Sequence, residues 1–520
     1  MKSKLRLSSY LKKSSVGITI GLSVLKVLKA LPTLIILILS AKYFGASSER
    51  DAWIVAVSII TVIIQILFGP LNETFITKYI HIREEESVEK VNRATDSLVS
   101  GIIFLCIIVS SGIFLFSRTL VDLFAPGFSE PEKLVLIKML RILIPSLLFL
   151  QITNIWSSIL NAYKSYFIPD LLASISLIIN IILIIALSSF IGIYSLIVSA
   201  YINYLLLTIV LYRELRYKFK YRFRLTIPRF ELLKPFLLFA LPLFINYLFS
   251  QTDTIIERSL TTRMGTGSVS ILDYARKFFD LPLGLMMSVI TTVLTPILSL
   301  YYVKNTAGEL FGETQKYFRF IVIIMLPIVV MLIVLPEELV RVLLVRGKFS
   351  IGLVASTSSI LRWYGVGLFA VIFYIIYSQL IISQKRVYFF SKVVIASYLI
   401  KIPCNLLFYK TLGLITFPMT LILTNFIMGI IFMYFGSKDY RKMLVTDAAQ
   451  MIFLFALLNA TCYFGREFIR TFIHSDLVVC VLVFILILVI EVMLIFILRF
   501  QEGPTIKNLT NKLKLSLRAK

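Results

Sequence analysis

The chain has 520 residues, 58% of them hydrophobic, with a mean hydropathy of +0.92. Apolar runs recur from end to end, which places it among polytopic α-helical membrane proteins and leaves no soluble catalytic domain of useful size. The formal charge of +25 would point to nucleic acid in a soluble protein, but here the basic residues sit between apolar spans and report topology, so no nucleic-acid partner is expected.

Hydropathy predicts about fourteen spans, near 16–41, 52–77, 96–117, 134–160, 166–189, 191–212, 235–257, 268–302, 317–336, 352–383, 387–409, 412–436, 448–465 and 476–498. Alternate loops carry about 32 and about 11 basic residues, the excess on the N-terminal side, which puts both termini in the cytoplasm. The first apolar run is too long for a signal peptide and contains Lys26 and Lys29, so it reads as an uncleaved helix. Lys29 lies ~18 Å along that helix. A lysine at mid-bilayer costs ~2.5–3.5 kcal/mol, so it faces a cavity, a partner or a bound anion, the plainer alternative being neutralisation by carboxylates on neighbouring helices.

In the second span, Asn72 and Glu73 follow Gly69-Pro70 and are candidates to line a cavity, Glu73 alternatively lying at the interface. Between spans six and seven, Arg216, Lys218, Lys220, Arg222 and Arg224 are interleaved with Tyr and Phe, which suits a loop resting on anionic lipid headgroups. Asp253 and Glu257 stand one turn apart on the seventh span. The eighth carries Asp273, Arg276, Lys277 and Asp280 along one face. One reading is internal salt bridging that lets this helix insert. The other has Arg276 and Lys277 facing Lys26 and Lys29 across a cavity and binding an anion, with Asp253, Glu257 or Asp273 taking the anion's place when it is absent.

Cys106, Cys404, Cys462 and Cys480 all fall in spans without metal or redox spacing, and the two histidines, His81 and His474, lie near span ends. No metal site, disulfide framework or cofactor is expected. Walker motifs and nucleophile elbows are absent from the sequence, so the chain reads as a non-enzyme.

The chain can be laid on itself. Gly45, Ser48 and Asp51 return as Gly267, Ser270 and Asp273 at a shift of 222; Gly127-Phe128 corresponds to Gly347 and Phe349; Leu140-Arg141, Ser157 and Lys164 return as Leu361-Arg362, Ser378 and Lys385 at 221. Six spans separate the copies, an even number, so the lobes share one orientation and are related by a pseudo-two-fold along the membrane normal. The expected fold is all-α: a lobe over 1–213, a basic linker over 214–234, a second lobe over 235–436, and a helix pair with a basic cytoplasmic tail over 437–520. Asp51 keeps its place in both copies, whereas the cations after Asp273 have no counterpart after it; Asp51 and Asp280 join the candidate cavity or gating groups.

Phe44-Gly45-Ala46 with Asp51-Ala52, Ala125-Pro126-Gly127-Phe128, Leu160-Asn161 through Pro169 to Asn180, and Gly267-Ser268-Val269-Ser270 with Tyr274-Ala275 and Pro282-Leu283-Gly284 resemble the MurJ/MviN family of lipid II flippases. Arg346-Gly347-Lys348-Phe349 is similar to a fifth family segment, and the similarity runs over roughly residues 15 to 430. The resemblance implies a central cationic cavity and export of an undecaprenyl-diphosphate-linked saccharide by alternating access in a bacterial inner membrane. Its diphosphate would dock on Lys26, Lys29, Arg276 and Lys277, with the lipid tail against the last two helices and glycan-assembly proteins as further partners. The chain departs from the family where a first-helix arginine is expected at Ile36, where a second-helix cation falls near Ile64 and Gln65, and where Tyr-Ala-Asp-Arg becomes Tyr274-Ala275-Arg276-Lys277. These departures keep open an exopolysaccharide or O-antigen unit on the same carrier, then a cation-coupled multidrug exporter, then a non-transporting scaffold.

Overall fold

The computed structural model describes residues 28–290, 294–303, 307–436 and 449–497. Lys26, the start of the first span and the basic C-terminal tail lie outside them. Within them the chain is helical, with short turns and no strand. Helix α1 covers 28–44, followed by α2 (Ser48–Glu85), α3 (Val88–Leu115), α4 (Ser117–Phe124), α5 (Glu130–Leu143), α6 (Ser146–Ala162), α7 (Phe167–Ile191), α8 (Tyr194–Lys218) and α9 (Phe230–Thr262). The second part comprises α10 (Ser268–Val289), α11 (Thr295–Val303), α12 (Ala307–Val334), α13 (Pro336–Leu344), α14 (Val354–Ser383), α15 (Val387–Leu412), α16 (Thr416–Gly436), α17 (Ala449–Phe472) and α18 (Asp476–Ile497). Among the described residues nine helices are long and apolar enough to cross a membrane, or ten with the pair α5–α6 taken as one span.

Two predicted spans differ in the structure. The fourth breaks near Pro145, which has no N–H for the helical ladder, and its halves α5 and α6 meet at 45°. The ninth begins earlier, at Ala307, and stops where Pro336 starts α13. Local capping sets several starts: the Ser47 and Ser87 side chains accept from Arg50 N and Lys90 N, and Ser129 with Glu132 forms a capping box.

The repeat is visible in the backbone. Gly45 and Gly267 have φ of 58° and 88°, Gly192 and Gly413 of 56° and 59°, and Lys164 and Lys385 of 61° and 59°. A left-handed lysine is uncommon because its Cβ crowds the backbone, at ~1–2 kcal/mol. Both copies nevertheless place one there, after α6 and after α14, and close the turn alike: Ser165 N donates to Leu160 O at 2.9 Å and Arg386 N to Ile381 O at 3.2 Å.

The chain divides into two compact units. The first comprises the chain to Tyr274 with residues 346–350 and 394–414; the second takes the rest. In the first, α2 is the axis, packed by α5, α6 and α9. Gly69 matters there because an added Cβ would overlap the Tyr247 ring, whose hydroxyl donates to Glu73 Oε2 at 2.9 Å. In the second, α14 is the buried axis between α12 and α16, and the α17–α18 pair is anchored by Glu338, fully buried, which receives Arg466 Nε at 2.7 Å and Arg470 Nη2 at 2.9 Å.

Candidate functional site

The first turns of α2 and α10 interlock within the first unit. A helix start exposes N–H groups with no partner in the helix and carries the positive end of its dipole. At α10 these donors are met by Asp51 of α2: Oδ2 accepts from Gly267 N at 2.5 Å, and Oδ1 from Ser270 N at 2.7 Å and Ser270 Oγ at 2.5 Å. Asp51 is fully buried. Beside it, Arg50 donates to Asp273 Oδ2 at 2.9 Å, to Ser270 O at 3.2 Å and to Ser40 Oγ at 3.1 Å, while its guanidinium lies 3.6 Å from the centre of the Tyr274 ring. Tyr274 in turn donates to Gly45 O at 2.8 Å.

Residues 346–350 thread into the same knot. Lys348 N donates to Lys42 O at 2.9 Å, and Phe349 meets the Tyr274 ring edge-on at 5.3 Å. The backbones approach so closely that a Cβ on Gly45 would overlap the Lys348 carbonyl, and one on Gly267 would stand 2.9 Å from Ala46 O. Glu132 adds a bond from Thr266 Oγ1 at 3.0 Å. Three of the five segments that carry the family resemblance thus meet in one place, although they are far apart in sequence.

A second group of charges lies on other helices of the first unit. Lys29 Nζ stands 2.5 Å from Asp170 Oδ1 of α7, both partly exposed. On α9, Asp253 receives Lys401 Nζ at 2.6 Å and Asn405 Nδ2 at 3.4 Å, both from the segment 394–414; Glu257 is buried, and Arg258 Nε donates to Ser58 Oγ at 3.0 Å. Asn72 exchanges two bonds with Gln151, at 3.2 and 2.8 Å. Such pairing is what charges removed from water require.

On the α10 stripe, Asp273 turns to Arg50. Arg276, in the second unit, donates through Nε to Tyr364 at 3.2 Å, whereas Lys277 and Asp280 are exposed. Among the described residues no group of His, Cys, Asp or Glu could hold a metal ion. Sequence reasoning missed Arg50, Asp170 and Lys401. Lys401 carried the same signal as Lys29, a lysine inside an apolar span, and Asp170 follows Pro169 in a segment already singled out.

Residues 40–493 match the family model described as lipid II flippase MurJ. A probable lipid II flippase MurJ of Buchnera aphidicola from Schizaphis graminum is 28% identical over 350 residues, 64% of this chain and 65% of that protein, just under two thirds of its length. The probable counterpart of the Acyrthosiphon pisum strain is 26% identical over 82% of this chain and 84% of its own. The lipid II flippase MurJ of Thermosipho africanus is 27% identical over 83% and 88%. Among solved structures, a lipid II flippase MurJ in an inward closed conformation superposes with a TM-score of 0.76 at 24% identity, over 91% of this chain and 98% of that one. An inward-facing multidrug resistance MATE transporter of the MOP superfamily gives 0.66 at 16%, over 82% and 99%. These structural likenesses show the fold.

Proposed function

The chain belongs to the MurJ family of lipid II flippases, and we propose that it carries lipid II, an undecaprenyl-diphosphate-linked saccharide, from the cytoplasmic to the outer leaflet of a bacterial inner membrane. The observation that carries this reading is the family match over residues 40–493, which takes in the whole interlock of α2 and α10. In this reading both termini are cytoplasmic, the lobes 1–213 and 235–436 rock about their linker, and the protein is a transporter rather than an enzyme. The interlock is the closed outer end. Opening it requires Asp51 to leave the α10 donors and Arg50 to leave Asp273.

The diphosphate brings about two negative charges. Lys26, Lys29, Arg276 and Lys277 receive them, and lysine suits the task as a point charge without the bidentate fork of arginine. Asp170 occupies Lys29 as a carboxylate stand-in, so docking exchanges one anion for another on the same ammonium. The Asp253–Lys401 pair is a second cation–carboxylate contact available for exchange. Lysine where the family carries arginine favours, as a second reading, a different glycan on the same carrier.

Export of labelled lipid II in cells depleted of their own flippase tests the assignment. Lys29→Ala with Lys277→Ala should abolish export at unchanged membrane abundance, and Lys29→Arg should retain part of it. Full export by the double variant would remove the diphosphate-docking role. Rescue of exopolysaccharide but not lipid II export by the native chain would select the second reading.

A further inference from the structure

The loop between α8 and α9, expected to rest on anionic lipid headgroups, is an ordered strap. Residues 219–224 alternate: Phe219, Tyr221 and Phe223 turn inward while Lys220, Arg222 and Arg224 are exposed. Trp156 holds Tyr221 and Phe223 with ring centres 5.9 Å away in each case, and Phe219 stacks on Tyr163 at 4.5 Å. Three bonds then pin the strap to α3: Tyr221 donates to Asp96 Oδ1 at 2.7 Å, Thr226 N to Ser100 Oγ at 3.0 Å and Arg229 N to Ser97 Oγ at 2.9 Å. Burial and the Asp96 carboxylate push the Tyr221 phenol well above its ordinary range, so it stays a donor.

With its aromatics spent on packing, the strap presents its cations to a cleft of about 860 Å³ against the start of α3. Lys220, Arg222, Arg224 and Arg229 line it with Arg93 of α3, facing the carboxylates of Glu89 and Asp96. Asp96 is occupied by the Tyr221 hydroxyl and by the backbone and charge of Arg224, and among the described residues no carboxylate forms an ion pair with Lys220, Arg222 or Arg229. A folded segment that leaves Lys220, Arg222 and Arg229 unpaired around a concave surface is set for a polyanion, and two of the three are arginines, whose forks match phosphate oxygens.

The neighbouring side chains identify its source. Leu225, Ile227 and Phe230 are 73%, 86% and 68% exposed, next to the cations and between α8 and α9 where these helices leave their apolar stretches. Apolar side chains beside cations at a helix end are the composition of a membrane interface, not of a site for a soluble anion. We propose that this cleft binds the phosphate headgroup of an anionic membrane lipid and that the bound lipid clamps the strap to α3.

The test uses the full chain in phosphatidylcholine vesicles with or without phosphatidylglycerol, reading retained phosphatidylglycerol by native mass spectrometry and the midpoint of thermal aggregation. Lys220→Gln with Arg222→Gln and Arg224→Gln should weaken retention roughly fivefold per cation and erase the thermal shift. A control triple of exposed cations elsewhere, Lys164→Gln, Lys385→Gln and Lys392→Gln, should keep both. Equal losses in the two triples would reduce the effect to diffuse charge and overturn the site. The same shift from inorganic phosphate in pure phosphatidylcholine would replace the lipid with a soluble anion. Absence of any phosphatidylglycerol effect on the native chain would overturn the proposal outright. If the strap triple is not recovered monodisperse, Arg222→Gln alone carries the test, with a severalfold loss expected.

Discussion

Asp51 and Asp273 hold corresponding positions in the two copies of the repeat, Asp51 in the first turn of α2 and Asp273 in the second turn of α10, yet they do different work. Asp51 is fully buried and bonds the backbone of α10 directly; Asp273 is 15% exposed and holds Arg50 from the side. One carboxylate takes two N–H groups, of Gly267 and Ser270, at a helix start. The other shares an arginine that also bonds Ser270 O and Ser40 Oγ. Internal symmetry therefore placed two acids at one joint, and the packing around them divided the labour.

The largest break in that comparison is Asp51→Ala, which strands the N–H groups of Gly267 and Ser270 without water. A loss of about 3–5 kcal/mol is expected, seen as a strongly lowered midpoint of thermal unfolding in detergent. Asp51→Asn keeps one acceptor and should fall between. Asp273→Ala should cost less, about 1–2 kcal/mol, because Arg50 keeps its other acceptors. A double-mutant cycle with Arg50→Ala measures the pair itself, and a coupling near zero would mean that Asp273 contributes nothing to the joint.

A smaller effect separates backbone strain from contact. Gly265 and Gly267 have φ of 98° and 88°, but a Cβ on Gly265 meets nothing within 4 Å. Both alanine variants should lose about 1–2 kcal/mol from the backbone, and Gly267→Ala more, through Ala46 O. Equal losses would remove the close approach from the account of the joint. The smallest effect concerns the turns: Lys164→Gly and Lys385→Gly should each be neutral or gain up to about 1 kcal/mol, since glycine relieves the left-handed strain. Opposite signs at the two sites would show that the copies differ there.

The repeat and most spans were legible in the sequence because apolar runs, caps and left-handed turns are local properties. At Pro145 and Pro336 the boundaries follow a proline, which interrupts the helical ladder before it and suits the first turn of the next helix. Charges inside spans were legible as positions of interest, Lys29 and Asp253 among them, but not as pairs.

Hydrophobic length and the spacing of Gly, Ser and Asp dictate that this chain is a repeated bundle of membrane helices, because each helix satisfies its own backbone bonds within lipid. Which carboxylate answers which cation was decided in three dimensions. Asp51 meets Ser270 across 219 residues, Arg50 meets Asp273 across 223, and Lys29 takes Asp170 across 141 rather than one of the acids first considered for it. A buried charge selects the partner whose helix the packing brings within about 3 Å, and no spacing along the chain encodes that distance.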